Sequence, residues 1–215
     1  MTPIQKLTRR TFLILSLAGL CAGLGSFAQA ASVAGKDYQI LKQAQPTNSA
    51  DKLEVLEFFS YGCPHCKDLE PLLEGWMKKA PKDVVVKRVP VFSEPFQRMY
   101  LSLEALGEAD RLNIQIFAAI HDQNVRMQDE KVQMDWVAAH GVDLKKYQAM
   151  YNSFSINSGV KRTQQLAQDY HIEGIPSLAV AGRYVTSAAM AGNHAASLIV
   201  LDDLIAKARA GQGKR

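Results

Sequence analysis

Four residues, Cys63-Pro64-His65-Cys66, constrain this chain more than any others. They follow an apolar run, Leu53-Glu54-Val55-Leu56-Glu57-Phe58-Phe59, and they open a segment that reads as helix. The run carries apolar residues at positions of both parities, as a central strand covered on both faces does. A Cys-x-x-Cys at such a strand-to-helix corner is a dithiol placed for redox chemistry. The bridge it can form closes a very small loop and constrains the unfolded chain little, so its value lies in being made and broken.

The N-terminus reads as an export signal. Lys6, Arg9 and Arg10 precede an apolar stretch from Thr11 to Gly19, too short to span a bilayer, and Ala28-Gln29-Ala30 forms a small-x-small cleavage site. The expected mature chain starts at Ala31 and is periplasmic. Thr8-Arg9-Arg10-Thr11-Phe12-Leu13 also fits a twin-arginine signal, which leaves both export routes open. Cys21 follows Leu20 rather than a small residue, so it reads as part of the discarded signal and not as a lipidation site. Cleavage removes three of the 25 basic residues and none of the 21 acidic ones, leaving 22 against 21 and a formal charge of +1. The basic pI is therefore largely a property of the signal and offers no argument for nucleic-acid binding. No second apolar stretch reaches spanning length, and the 185 mature residues suit one domain with a sizeable core. Cys63 and Cys66 are then the whole thiol inventory.

Along the mature chain, Tyr38 to Leu41 reads as a short edge strand and Gln45 to Lys52 as a loop. The helix that starts at Cys63 extends to about Lys79 with a kink at Pro71. Val84 to Val89 is rich in β-branched residues and reads as a strand stopped by Pro90, completing a βαβ unit with a parallel pair. From Pro95 to Ile172 apolar residues recur at helical spacing (Leu101, Ala105, Ile114, Phe117, Ala118, Trp136, Val137, Leu144, Tyr147), predicting four or five helices, the last from about Ser158. Strand signals return at Ser177 to Val180 and Arg183 to Thr186 around a tight turn at Ala181-Gly182. A last helix from about His194 to Ala208 buries Leu198, Leu201, Leu204 and Ile205, and a polar, disordered tail follows Ala210. The predicted class is α/β: a mixed central sheet flanked by helices, residues 31–92 and 173–210, with a helical domain, 93–172, inserted between the halves. With the dithiol corner this resembles a thioredoxin fold carrying a helical insertion.

The residue chemistry gives the dithiol a direction. Cys63 stands at a helix N-terminus, where unpaired N–H groups and the helix dipole favour the thiolate that attacks disulfides. His65 adds an imidazole, and Pro64 pre-sets the first turn. Cys66, one turn on, faces inward as the resolving thiol. A stabilised Cys63 thiolate stabilises the reduced form, which makes the disulfide the stronger oxidant. A structural zinc site needs four ligands, and covalent haem needs His where Lys67 stands, so neither is expected. His121, His140, His171 and His194 show no metal-ligand spacing, and no metal or cofactor is predicted. Trp76, Trp136 and most of Met99, Met127, Met134, Met150 and Met190 read as core. Ile175-Pro176 begins a strand and admits either a cis or a trans bond; in a thioredoxin architecture its loop faces the dithiol. Glu57 falls on the central strand, so it is either a buried carboxyl with a raised pKa or one that reaches solvent past the strand end.

The chain resembles the DsbA family of exported bacterial thiol:disulfide oxidoreductases. Leu56-Glu57-Phe58-Phe59-Ser60 runs into Cys63-Pro64-His65-Cys66, Glu173-Gly174-Ile175-Pro176-Ser177 lies near the second half-sheet, and the helical block stands between them. The resemblance implies Cys63 as nucleophile, Cys66 as resolving thiol, Pro64 and His65 as tuning residues, Pro176 as a cis-proline, and Ile175 as part of the peptide-binding face. It also implies Glu57 as a buried acid beneath the dithiol with Lys87 as its partner. The expected activity is donation of the Cys63–Cys66 disulfide to reduced exported proteins through a mixed disulfide. A monomer re-oxidised by a quinone-linked inner-membrane protein of the DsbB type is expected. Ile175 before the proline and Lys67-Asp68 after the motif depart from the family pattern. Reductase or isomerase chemistry is the rival within the class, and a chaperone that binds without turnover is the rival outside it.

Overall fold

The computed structural model describes residues 31–49 and 51–212; the expected signal, Cys21 and the last three residues lie outside them. Five strands and eight helices follow in order: β1 Gln39–Ile40, β2 Leu53–Phe59, α1 Pro64–Met77, β3 Val84–Pro90, α2 Glu94–Ala105, α3 Ala109–His121, α4 Glu130–Ala139, α5 Leu144–Tyr151, α6 Phe154–Asp169, β4 Ser177–Val180, β5 Tyr184–Ser187, α7 Ala188–Ala191 and α8 His194–Gln212. The strands form one mixed sheet in the order β1-β5-β4-β2-β3, with β2 parallel to β3 and antiparallel to β4. This is the thioredoxin-type α/β architecture, with five helices between β3 and β4.

β2 is buried along its whole length because helices cover both faces of the sheet. Leu53 and Val55 pack with Leu69 and Leu73 of α1 and with Leu198, Leu201, Leu204 and Ile205 of α8. Leu56 and Phe58, of the opposite parity, meet Ala167 of α6 and Tyr170 just past its end. Phe59, at the end of the strand, joins Tyr61, Phe96, Met99, Leu112, Phe117 and Val137 in the core of the helical segment. The dithiol corner therefore sits where these cores converge.

The β4–β5 turn has Ala181 at φ 51° and Gly182 at φ 66°, left-handed at both central positions of a turn that the Arg183 N–H closes by donating to the Val180 carbonyl at 3.0 Å. Gly182 is also needed for space, since a Cβ there would lie 2.0 Å from the Gln45 carbonyl oxygen. Several expectations shift. α6 starts at Phe154, four residues early, and α7 was not anticipated. α8 runs through Gln212, two residues into the expected tail. Trp76 and Trp136 are half-buried rather than core: Trp76 donates to Asp202 at 2.9 Å, and Trp136 stacks on His140 at 3.6 Å. Ile114 is 47% exposed, while Leu112 and Ile116 face the core. Among the described residues no helix is long and apolar enough to cross a membrane.

Candidate active site

β2 ends at Phe59, and Ser60-Tyr61-Gly62 carries the chain over the sheet edge into α1. Gly62 is required there by close approach: a Cβ would meet the Phe96 ring of α2 at 2.7 Å. The same loop is tied to α3, whose His121 Nε2 lies 2.8 Å from the Tyr61 carbonyl oxygen. Cys63 is the N-cap of α1 with extended backbone, Pro64 takes the first helical position, and the Cys63 sulfur accepts the Cys66 N–H at 3.4 Å. Sulfur here does the work that a Ser or Asp oxygen does at an ordinary N-cap.

The two thiols occupy opposite environments. Cys63 is half-buried and Cys66 fully buried. The Cys63 thiol is lowered to about 6, first by a hydrogen bond from the Cys66 thiol, then by the N–H groups of Cys66 and His65, and last by the charge of His65. The Cys66 thiol is pushed far upward, by the same hydrogen bond seen from its other end and by burial. One sulfur is thus a stable thiolate near neutral pH and its neighbour holds a proton.

Beneath the pair lies a buried ionic cluster. Glu57 is completely buried, so the solvent-reaching alternative does not hold; burial first, and then the nearby Glu70 carboxylate, raise its pKa to about 8. Arg88 is the compensating cation. Its Nε stands 3.2 Å from Glu57 Oε2, its Nη2 bonds Glu70, and its Nη1 reaches Asp110 at 3.1 Å. The Glu57 contact is close but poorly aligned, and neither carboxyl oxygen has a well-formed hydrogen bond. Two buried carboxyls share one guanidinium, an arrangement that favours holding one proton between them.

Lys87 is not the partner of Glu57. The β2–β3 register pairs Glu57 with Arg88 and Leu56 with Lys87. Paired residues in a ladder share a face, so Lys87 points to the opposite side, where it bonds Glu54 at 2.6 Å. Glu70 was missed altogether, although a signal existed: Cys66, Leu69, Glu70 and Leu73 fall at i, i+3, i+4 and i+7, which places Glu70 on the buried stripe of α1.

Ile175-Pro176 is a cis peptide, and the Ile175 carbonyl oxygen lies 3.7 Å from the Cys63 sulfur. Ser177 Oγ fixes the loop by donating to the Gly174 carbonyl at 2.7 Å. Ile175 packs at the junction of two core clusters. The structure thus brings half-buried Cys63 and Ile175 together over buried Cys66 and Pro176, with Glu57 below; His65 is exposed on α1 beside them.

A thioredoxin-type sheet ending in a Cys-x-x-Cys helix cap, with one thiol acidified and the other suppressed, defines a dithiol–disulfide oxidoreductase. A family profile described as DSBA-like thioredoxin domain matches residues 93–200, the stretch that begins just after the dithiol half-sheet. The thiol:disulfide interchange protein DsbA of Bordetella parapertussis is 42% identical over 205 residues, covering 93% of this chain and 98% of that one. That of Burkholderia cepacia is 41% identical over 198 residues, covering 90% and 93%. The crystal structure of Pseudomonas aeruginosa DsbA superposes with a TM-score of 0.81 at 34% identity, covering 85% of this chain and 97% of that one. The chain belongs to the DsbA family and is a protein disulfide oxidoreductase.

Proposed function

We propose that the mature protein, residues 31–215 after removal of a signal peptide, is a periplasmic dithiol oxidase that donates its Cys63–Cys66 disulfide to reduced exported proteins. The acidified Cys63 beside a suppressed Cys66 carries this reading. A substrate thiolate attacks the Cys63 sulfur; a substrate–Cys63 bond forms, the Cys63–Cys66 bond breaks, and Cys66 leaves with the electron pair. Its high proton affinity makes it a poor leaving group unless a proton arrives. Glu57, protonated at neutral pH because its pKa lies near 8, is the proton store for that step, and Arg88 and Glu70 position it. A second substrate thiolate then attacks the substrate sulfur of the mixed disulfide, and Cys63 departs as a stable thiolate. The substrate is oxidised by two electrons and the enzyme reduced by two. A quinone-linked membrane partner of the DsbB type accepts those electrons and restores the disulfide.

Pro64 and His65 tune the nucleophile, and the chain to be oxidised lies along the Ile175-Pro176 loop. A groove of about 550 Å³ extends that platform. Phe92, 60% exposed, stands on its lip, and Val91 and Ile172 of its lining share a cluster with Ile175. The five helices at 93–172 are the inserted domain, and the segments on either side form the thioredoxin-like domain.

Equilibration of the mature protein with glutathione tests the direction of electron flow. The expected potential is well above the roughly −270 mV of thioredoxin-type reductases. A value near that figure would sink the oxidase reading and favour reductase chemistry.

A further inference from the structure

Beside the dithiol the fold assembles three side chains that sequence spacing gave no reason to group. His65 and Asp68 stand three residues apart at the start of α1, on one side of the helix, and His194 is the first residue of α8. One ligand-capable atom from each, an imidazole nitrogen or a carboxylate oxygen, lies within 4.8 Å of the other two. The two imidazole rings are 6.2 Å apart at 45°.

His194 supplies the independent observation. Its Nδ1 is buried yet has no hydrogen-bond partner among the described residues, and a buried polar atom left unpaired calls for an explanation. The residue is well placed to hold a ligand. Asn193 Oδ1 caps α8 by accepting the Ala196 N–H at 2.8 Å, and Ser197 Oγ donates to the His194 carbonyl at 2.7 Å. Asp68 has no ion-pair partner among the described residues, whereas Lys67 beside it is engaged by Asp122.

Two imidazoles and one carboxylate form a borderline donor set that suits Zn²⁺, with Cu²⁺ and Ni²⁺ as competitors, and not Ca²⁺ or Mg²⁺, which take oxygen ligands. Bonds of about 2.0–2.2 Å to a tetrahedral zinc bring donor atoms roughly 3.3 Å apart. His65 and Asp68 are exposed and can close the remaining distance by changing rotamer. Three protein ligands leave the fourth position to water. We propose that His65, Asp68 and His194 form a binding site for one divalent transition-metal ion, zinc by its donor set, bridging the first turns of α1 and α8 at the rim of the dithiol. The proposal concerns metal binding and does not depend on the direction of thiol exchange.

The test is a calorimetric titration of chelator-stripped, oxidised mature protein with zinc chloride; the disulfide keeps Cys63 and Cys66 from ligating. One ion per chain is expected. His194→Ala and Asp68→Asn should each weaken binding at least as much as the roughly tenfold cost of disturbing an outer-shell partner. His140→Ala and His171→Ala, away from the cluster, should bind as the parent does. Asp68→Asn, a nearly isosteric change on an exposed residue, keeps the test valid if His194→Ala fails to fold. No binding up to millimolar zinc, or unchanged affinity in Asp68→Asn, would overturn the site.

Discussion

The ground beneath the dithiol and the core of the helical segment both bury polar groups, but they settle them differently. In the helical segment the buried groups are neutral and several are paired: Gln97 donates to Thr163 at 2.8 Å, the Tyr147 hydroxyl donates to Gln133 at 2.9 Å, and Gln133 donates to the Met127 carbonyl at 3.0 Å, although Ser102 and Asn113 lack a well-formed hydrogen bond. Aromatic and aliphatic side chains surround them. Beneath the dithiol, Glu57, Glu70 and Arg88 are all buried, with one more acid than base and both Glu57 oxygens left without a well-formed hydrogen bond. Neutral matched pairs cost little and specify packing, whereas an unbalanced charged set costs stability and stores a proton. The first kind of burial builds a scaffold; the second equips a reaction.

The sharpest test of this division removes the sulfur where the two regions meet. Cys63→Ser should abolish disulfide transfer to a reduced test protein while leaving the urea midpoint close to that of the reduced parent at about pH 5, below the range in which the Cys63 thiolate adds stability. Persisting transfer would mean that the nucleophile is misassigned. Next in size, Arg88→Met leaves two buried carboxyls without their cation and should cost about 3–5 kcal/mol in urea unfolding. Gln133→Leu in the helical core should cost about 1–3 kcal/mol. Equal losses would erase the contrast between the regions.

A pH series tests the proton store proposed at Glu57. Glu57 has a folded pKa of about 8 against an ordinary 4.5, so between those values the folded protein binds more protons than the unfolded one. Stability from this group is therefore full below about 4.5 and falls as pH rises toward 8, by on the order of a few kcal/mol. Glu57→Gln should flatten that slope in the oxidised protein; an unaltered slope would remove the proton-store assignment. Reduced protein carries an opposite contribution. Cys63 is lowered from 9.0 to about 6, so its thiolate stabilises the fold increasingly as pH rises from 6 toward 9. The reduced form should thus gain on the oxidised form across that window, and parallel urea curves for the two would contradict it. The smallest effect concerns His65. Its charge ranks last among the causes that acidify Cys63, and its N–H survives truncation. His65→Ala should raise the Cys63 thiol by no more than about one unit in an ultraviolet thiolate titration, and a larger rise would mean that the imidazole outweighs the backbone.

Much of the frame was readable from local pattern. The bounds of β2 and β4, the Ala181-Gly182 turn and the buried stripe of α8 follow from alternation, turn chemistry and helical period. The burial of Glu57 was one of two open readings, and a strand apolar at both parities favoured it. What escaped depended on parity and on long-range meeting. Lys87 and Arg88 are adjacent cations, and only the β2–β3 register decides which one faces Glu57. In α3, residues Leu112, Ile114, Ile116, Phe117 and Ile120 fit more than one helical face, so the period alone could not say that Ile114 turns outward. His65 and His194 come from opposite ends of the mature chain, and no spacing rule joins them.

The crossing of Gly62 against the Phe96 ring, with His121 held to the Tyr61 carbonyl, bears on how such an enzyme can be taken apart. The loop that presents Cys63 leans on α2 and α3, so the helices between β3 and β4 are a wall of the dithiol corner and not cargo attached to a finished thioredoxin. A shortened protein joined directly from β3 to β4 would keep both cysteines and still lose the surface that fixes the approach of the loop to α1. Miniaturisation has to begin by rebuilding that wall.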